Sequence, residues 1–255
     1  KLAGGVDEVQ VEAAFASIGS YAIVGEPLGV FYGTRYQRDG AGNVLVNANG
    51  VPLIDPVTGN VGSPLPDWQA GLRNTFTWNN WELSFFFDFR KGGSIWNGTY
   101  ARLNNFGRTS ESAENRDGGF NDQVYLVEGV YAPGTTDGQG NDISGQQNST
   151  YLDAYTYFRT VVGDAGGAAE AFVEDVDWVR LRDLSLGYRF DFSDKNWGVE
   201  YLNLNFTARN LWLSTNYKGV DPETSLTGAG SNIGGLDYFN NPGTRSYMFG
   251  LSFGF

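Results

Sequence analysis

The stretch Arg245 to Phe255 reads R-S-Y-M-F-G-L-S-F-G-F, and its alternation decides the fold. Residues two apart on a β-strand share a face. One face of this strand is therefore large and apolar and consists of Tyr247, Phe249, Leu251, Phe253 and Phe255. The other face is small and mostly polar and consists of Ser246, Met248, Gly250, Ser252 and Gly254. A water-soluble sheet would bury the apolar face in a core, whereas an outer-membrane barrel would turn it towards lipid.

Five further segments alternate in the same way and predict strands. They are about Leu28–Tyr36, Gln69–Trp78, Trp81–Arg90, Trp178–Phe190 and Tyr201–Arg209. Asn79-Asn80, between the second and third of them, is a two-residue turn of the type that tolerates positive φ. Residues 1–26 remain an uncertain lead-in, and residues 27–255 read as strands joined by long loops at about 37–67, 92–176 and 210–243.

The loop lengths favour a transmembrane antiparallel β-barrel over a soluble β-sandwich or lectin-like domain. Short turns at one end and long loops at the other are typical of outer-membrane barrels. The predicted polar faces also carry many charged and amide side chains, namely Arg73, Glu82, Asp88, Arg90, Asp183, Arg189, Asn203, Asn205 and Arg209. A dry core would have to pair each of these charges, but a wet lumen need not. We expect the C-terminus to be periplasmic and the long loops to be extracellular.

About six strands cannot close a barrel, because the smallest transmembrane barrels have about eight. We therefore expect the remaining strands to come from another part of the protein or from another chain. The sequence has no run of 18 apolar residues that would predict a transmembrane helix. Lys1 to Gly5 also lacks the apolar stretch of a signal peptide.

The composition excludes several functions. The chain has no Cys and no His, so it offers no disulfide, thiolate nucleophile, histidine base or cysteine–histidine zinc site. The net charge of −12 argues against a nucleic-acid partner. We expect no catalytic residues, no cofactor and no bound metal, and hence a protein that is not an enzyme.

Four groups of motifs occur in a fixed order along the chain. They are Val24-Gly25-Glu26-Pro27-Leu28-Gly29 with Phe31-Tyr32-Gly33; Pro66-Asp67-Trp68 with Phe85-Phe86-Phe87-Asp88 and Gly92 to Asn97; Val179 to Tyr188; and Arg209-Asn210-Leu211, Tyr217-Lys218-Gly219 and Asp221-Pro222-Glu223 with the terminal strand. Together they resemble the C-terminal region of SusC/RagA-family TonB-dependent transporters of the Bacteroidota outer membrane. The resemblance spans about residues 22–255.

The resemblance implies a 22-stranded barrel with a plug in its lumen, of which this chain holds only the C-terminal barrel portion. It implies import of large nutrients, glycans or oligopeptides, together with a SusD-like surface lipoprotein. It also implies coupling to the TonB complex through a part of the protein that this sequence does not include. The alternative is a passive porin or surface-binding adhesin barrel without TonB coupling. The acidic run that the family usually has before Pro64 is replaced by Asp55 to Asn60, which puts a calcium site there in doubt.

Aromatic residues in the predicted outer loops are candidate contacts for the substrate or for the lid lipoprotein, because rings stack on sugars and anchor interfaces. They are Trp96, Tyr100, Tyr151, Tyr155, Tyr157, Trp212, Tyr217, Tyr238 and Phe239. The alternative is that they pack the loops against one another.

Three other features are candidate sites. The apolar residues Tyr247, Phe249, Leu251, Phe253 and Phe255 are expected to face lipid, and the resemblance implies that they serve as the C-terminal assembly signal. Arg180 and Arg182 share the parity of apolar Leu184 and Leu186, so they are possible contacts for lipopolysaccharide phosphates. The alternative for these arginines is a local bulge that turns them inward. Asp221-Pro222-Glu223 predicts a turn, with a cation or partner site as the alternative.

Overall fold

β-Strands make up most of the regular structure in the computed structural model, which describes residues 5–15, 17–114, 123–193, 195, 198–227 and 234–255. The strands are β1 (Glu8–Phe15), β2 (Ile18–Ile23), β3 (Val30–Gly33), β4 (Leu45–Val46), β5 (Gly59–Gly62), β6 (Trp68–Trp78), β7 (Trp81–Lys91), β8 (Ser94–Asn97), β9 (Gln123–Leu126), β10 (Val130–Tyr131), β11 (Tyr151–Asp153), β12 (Val173–Asp175), β13 (Trp178–Asp191), β14 (Tyr201–Thr215), β15 (Leu236–Asp237) and β16 (Ser246–Gly254). The α-helices are α1 (Gly98–Asn105), α2 (Ser110–Ala113) and α3 (Ala154–Thr160), and Ala169–Phe172 forms a 3-10 helix. None of the helices in these ranges is long and apolar enough to cross a membrane.

The chain divides into two compact units. The first, which we call the sheet unit, comprises Pro66–Gly93, Val176–Pro222 and Asn241–Phe255. The second, which we call the loop unit, comprises Lys1–Leu65, Ser94–Asp175 and Glu223–Asn240. The three long connections predicted from the sequence contribute most of the loop unit.

The sheet unit is one antiparallel sheet of five strands in the order β16-β14-β13-β7-β6. The two-residue turn Asn79-Asn80 joins β6 to β7, with Trp78 opposite Trp81, and Asn79 has the positive φ that the sequence predicts (50°). The register places most large apolar side chains of the five strands on one face and most polar ones on the other; Phe86 and Met248 lie on the polar face and Asn74 on the apolar one. The predicted all-β fold and the alternation of these five strands are confirmed.

The prediction that the segment Leu28–Tyr36 is a strand of this sheet is wrong. Only Val30–Gly33 of the segment Leu28–Tyr36 forms a strand, and β3 lies in the loop unit in a sheet of order β1-β2-β3-β5. Val30 and Phe31 point to opposite sides of β3, yet both are fully buried. A strand covered on both faces is a core strand and does not fit a barrel wall with one lipid face. Its neighbours are β2 and β5, and β1 and β2 come from the segment that the sequence left unassigned.

The loop unit has its own small core and is not structureless. Buried side chains from four distant segments meet there, namely Ile18, Phe31, Trp96, Ala101, Ala169, Phe172 and Leu236. Asn97 caps the N-terminus of helix α1, and its side-chain carbonyl accepts the backbone N–H of Tyr100. The prediction of long plain loops at 37–67 and 92–176 is therefore corrected to a folded unit of short elements.

Three loops of the loop unit share one hydrogen-bond pattern. They are the Asp39 loop (39–43), the Asn47 loop (47–51) and the Asp137 loop (137–141). In each, the side-chain oxygen of the first residue accepts the backbone N–H groups two and four residues on. The fourth residue is a glycine with φ between 75° and 90°, a conformation that favours glycine.

We expect acid to loosen the Asp39 and Asp137 loops and to spare the Asn47 loop. Hydrogen bonds from the side chains and backbones of Asn43 and Asn141 lower the pKa of the Asp39 and Asp137 carboxyls. Because the folded pKa is depressed, the stabilisation is present above the unfolded value of about 3.9 and is lost as pH falls through the folded value. Amide hydrogen exchange between pH 5 and pH 2, corrected for intrinsic rates, measures this. Equal loss of protection in the Asn47 loop would contradict the assignment.

Candidate functional site

The polar face of the sheet unit is a candidate site because the register gathers its charged side chains into rows. One row crosses the whole sheet through Arg73 on β6, Phe86 on β7, Asp183 on β13, Arg209 on β14 and Ser246 on β16. Residues directly opposite each other in neighbouring strands point to the same face. We call this row the arginine row.

Two arginines of the arginine row share one carboxylate. Arg73 Nη2 lies 2.9 Å from Asp183 Oδ2, and Arg209 Nε lies 3.5 Å from Asp183 Oδ1. Arg73 reaches across β7 with its guanidinium 4.9 Å from the centroid of the Phe86 ring. The cluster therefore carries two positive charges against one negative charge.

The row beside the arginine row consists of four short hydroxyl side chains and ends at Met248 on β16. Thr75 donates to Ser84 at 3.2 Å, and the hydroxyls of Ser185 and Thr207 lie 3.1 Å apart. The next row places Gly187 and Gly250 on the same face, and this part of the face forms an open depression of about 560 Å³. Short side chains and glycines therefore line the polar face beside the exposed arginines.

A β-bulge in β13 reverses the predicted direction of Arg180. Leu181 lies opposite Phe87 and Asp183 opposite Phe86, so Arg182 is an extra residue with no partner position on β7. Arg180 is consequently opposite Asp88, on the polar face. Its guanidinium lies 2.6 Å from Asp221, and the two side chains are only 5% and 8% exposed.

Arg182 also turns towards the polar face. Its Nε and Nη2 donate to Asp88 Oδ2 at 2.9 Å and 2.8 Å, and its guanidinium lies 5.3 Å from the Trp178 ring. Both arginines are engaged by carboxylates on the polar face, which favours the alternative of a local bulge; the interpretation of Arg180 and Arg182 as lipopolysaccharide contacts stays a prediction. Sequence reasoning also missed Asp221 as the counter-charge of Arg180, because two residues separated by 41 positions gave no pairing signal.

The structure separates the loop aromatics by exposure. Tyr151, Tyr155 and Phe239 are about half exposed, which leaves their rings open to a ligand. Tyr155 also accepts a hydrogen bond from Arg159 at 2.9 Å. Phe239 has a φ of 53°, which a bulky side chain rarely adopts.

Four other aromatics pack against the protein, as the alternative interpretation has it. Trp96 and Tyr217 are buried. Tyr157 stacks on Tyr125 with ring centroids 4.5 Å apart, and burial raises the pKa of Tyr157. Tyr238 stacks on the buried Trp96 at 6.4 Å.

Tyr100 and Trp212 complete the set. Tyr100 is partly buried on helix α1, and burial raises its pKa. The prediction that Trp212 lies in an outer loop is wrong, because Trp212 lies in β14. It is opposite Leu181, on the apolar face of the sheet.

The apolar face is the second feature of the sheet unit that calls for a partner. Tyr247, Phe249, Leu251, Phe253 and Phe255 of the terminal segment are all more than half exposed. Leu72, Phe76, Trp78, Trp81 and Leu186 continue the exposed apolar surface. A water-soluble monomer seldom exposes so large an apolar patch.

No family model matches the chain. It is 26% identical over 257 residues to TonB-dependent receptor P3 of Formosa agariphila, which covers 91% of this chain and 22% of the relative. It is also 26% identical over 275 residues to TonB-dependent receptor P26 of the same species, covering 98% of this chain and 25% of the relative. The chain therefore spans about a quarter of the length of these relatives.

Solved structures show the same fold. The RagAB peptide importer in its open-open state matches with a TM-score of 0.55 at 18% identity, covering all of this chain and 25% of the importer chain. The closed-closed state matches with a TM-score of 0.50 at 17% identity, covering 98% and 25%. The resemblance to the β-barrel of SusC/RagA-family TonB-dependent transporters, which the ordered motifs indicate, is thus confirmed over nearly the whole chain.

Proposed function

We propose that this chain is the C-terminal barrel portion of an outer-membrane transporter that imports glycans or oligopeptides with energy from the TonB complex. Its similarity to TonB-dependent receptors supports import across the bacterial outer membrane. The import is gated passage without covalent chemistry. The remaining strands and the plug complete the transporter.

The observation that carries the proposal is the apolar face with tryptophans at both ends. Trp68 and Trp78 both lie on that face, at opposite ends of the 11-residue strand β6. Ten steps of about 3.3 Å separate them by about 33 Å along the strand. At the tilt of about 35–45° found in transmembrane barrels, this corresponds to about 25 Å along the membrane normal, the usual height of the apolar band.

The same tryptophans support the orientation. Trp78 and Trp81 flank the short turn and mark the periplasmic interface, whereas Trp68 and Trp212 mark the outer one. Tryptophan is enriched at both interfaces because its ring is apolar and its N–H is polar. The long loops are then extracellular, and Phe255 is periplasmic.

A SusD-like surface lipoprotein is the proposed lid, since the RagAB importer that this chain resembles is a two-component assembly by its name. Tyr151, Tyr155 and Phe239 are the proposed contacts for the lid or the substrate, because their rings are exposed. Exposed, rigidly held aromatic rings are the usual anchors of interfaces.

Growth on single nutrients tests the proposal. We expect deletion of the transporter gene to abolish growth on one glycan or oligopeptide, but not on its monomers. Deletion of TonB should have the same effect on that nutrient. Uptake that persists without TonB would favour a passive porin and overturn the proposal.

A further inference from the structure

We propose that the outer end of the apolar face binds the phosphorylated sugar headgroup of lipopolysaccharide, the glycolipid of the outer leaflet. The site consists of Trp68, Lys91 and Asp177, with Ser214 beside them. This inference rests on the proposed function, because this end of the sheet meets the outer leaflet only in the proposed orientation. It adds a lipid ligand that transport itself does not require.

Lys91 is a basic residue on a face whose other strand residues are uncharged. It lies opposite Trp68 and two residues after Phe89, so its side chain shares their apolar face. The structure describes all residues of the five strands, and their other basic residues lie on the polar face or turn towards it. The stem of a lysine can cover apolar surface while its ammonium group reaches a polar headgroup.

Asp177 holds the Lys91 ammonium group in place. One carboxylate oxygen of Asp177 pairs with Lys91 Nζ, and the other accepts the backbone N–H of Gly92 at 2.8 Å. The Asp177 backbone is fixed as well, because its N–H donates to Asn216 Oδ1 and its carbonyl accepts from the Thr215 hydroxyl, both at 2.8 Å. The ends of three strands are thereby tied together, and the charged pair is ordered before a ligand arrives.

The neighbouring surface has room for a headgroup and an acyl chain. Trp68, Lys91 and Asp177 line a depression of about 320 Å³ together with Phe89 and Val179. The side chains of Lys91 and Asp177 are about half exposed, and so is Trp68. Phe89 and Val179 are opposite each other on the apolar face, so an acyl chain can pack on them below the polar groups.

The mixture of groups decides the occupant. The charges of Lys91 and Asp177 cancel, which does not favour a simple phospholipid phosphate. A sugar needs both donors and acceptors and presents C–H groups to an aromatic ring, and this site supplies an ammonium group, a carboxylate, the Ser214 hydroxyl and the Trp68 indole. Lipopolysaccharide places phosphorylated sugars directly above its acyl chains. Its hydroxyls would donate to Asp177 and its phosphate would accept from Lys91.

Titration of the purified intact transporter with lipopolysaccharide in detergent, followed by native mass spectrometry, tests the inference. We expect Trp68→Ala and Lys91→Gln each to weaken binding by about five-fold or more. Trp78→Ala is the matched control, because Trp78 lies on the same face at the other end of β6 and its loss should leave binding unchanged. Equal losses for Trp68→Ala and Trp78→Ala would reveal a general aromatic anchor and overturn the inference, as would unchanged binding by Lys91→Gln.

Amine labelling of the wild-type transporter gives a test without substitutions. Lipopolysaccharide should protect Lys91 from acetylation, whereas Lys195, which is exposed in the short turn after β13, should react as before. Equal protection of Lys91 by phosphatidylglycerol, or no protection by lipopolysaccharide, would contradict a sugar-specific site. TonB-dependent growth is measured in parallel. Normal growth without lipopolysaccharide binding sinks this inference and leaves the proposed function intact.

Discussion

Replacing Asp221 by asparagine is expected to lower the free energy of unfolding by about 3–5 kcal/mol. The substitution removes the counter-charge of Arg180, whose side chain is 5% exposed and lies 2.6 Å from the Asp221 carboxylate. Breaking a buried ion pair is costly because the remaining charge cannot return to water. Gly243 packs so closely that a Cβ there would lie 2.8 Å from Asp221 Oδ2, so the site has little room to rearrange.

Unfolding by urea in detergent, followed by tryptophan fluorescence, measures this loss. Trp178 is a convenient probe, since the Arg180 guanidinium lies 5.9 Å from its ring. Asp191→Asn is the matched control, because its partner Arg189 contacts it at 2.9 Å in a half-exposed pair. Such pairs contribute about 0–1 kcal/mol. Similar losses for the two variants would show that the Arg180–Asp221 pair is not buried in the folded protein.

A double substitution separates charge from packing. Arg180→Met together with Asp221→Leu replaces the pair by apolar side chains of similar size. Buried ion pairs replaced in this way often leave stability unchanged or higher. We therefore expect the double variant to recover most of the stability that Asp221→Asn loses. A double variant less stable than the single one would indicate that the two side chains stabilise the protein through contacts other than their mutual charge.

The five strands of the sheet could be predicted from the sequence because their signal is local. Each keeps a period of two over nine residues or more, and one face is mostly apolar. The Asn79-Asn80 turn fixes the register of β6 and β7 by its own chemistry. These features depend on neighbours in sequence and require no knowledge of distant contacts.

The direction of Arg180 could not be predicted in this way. A single extra residue, Arg182, inverts the parity of everything before it in β13. Two residues of β14, Asn210 and Leu211, lie across from that bulge. Nothing in the local alternation reports such an insertion, since R-L-R-D-L keeps the appearance of an uninterrupted strand.

The fold of the loop unit could not be predicted from the sequence, for a different reason. Its elements are eight residues or shorter, which is too short for a periodic pattern to be recognised. Phe31, Trp96 and Leu236 meet in its core although they are far apart in sequence. The burial of Trp96 and the exposure of Phe239 follow from this packing. Composition alone could not distinguish a ring that builds the core from one that is open to a partner.

Replacing Phe249 by lysine is expected to make folding into a bilayer less favourable by about 2–4 kcal/mol. Phe249 lies near the middle of β16 and is 84% exposed on the apolar face. In a membrane this position lies near the midplane, where a charged side chain would be transferred into hydrocarbon. In water, the same substitution on an exposed surface would change stability by only about 0.5 kcal/mol.

Met248→Lys is the matched control, one residue away on the same strand. Met248 is opposite Thr207 on the polar face, so its lysine would project into a wet lumen and cost little. Urea titration of the folding of the intact transporter into phosphatidylcholine vesicles measures both variants. A loss confined to Phe249→Lys requires that only the face bearing Phe249, Leu251 and Phe253 meets lipid. Equally small losses for the two variants would mean that both faces of β16 meet water, and the alternation of the terminal strand would then describe a soluble sheet.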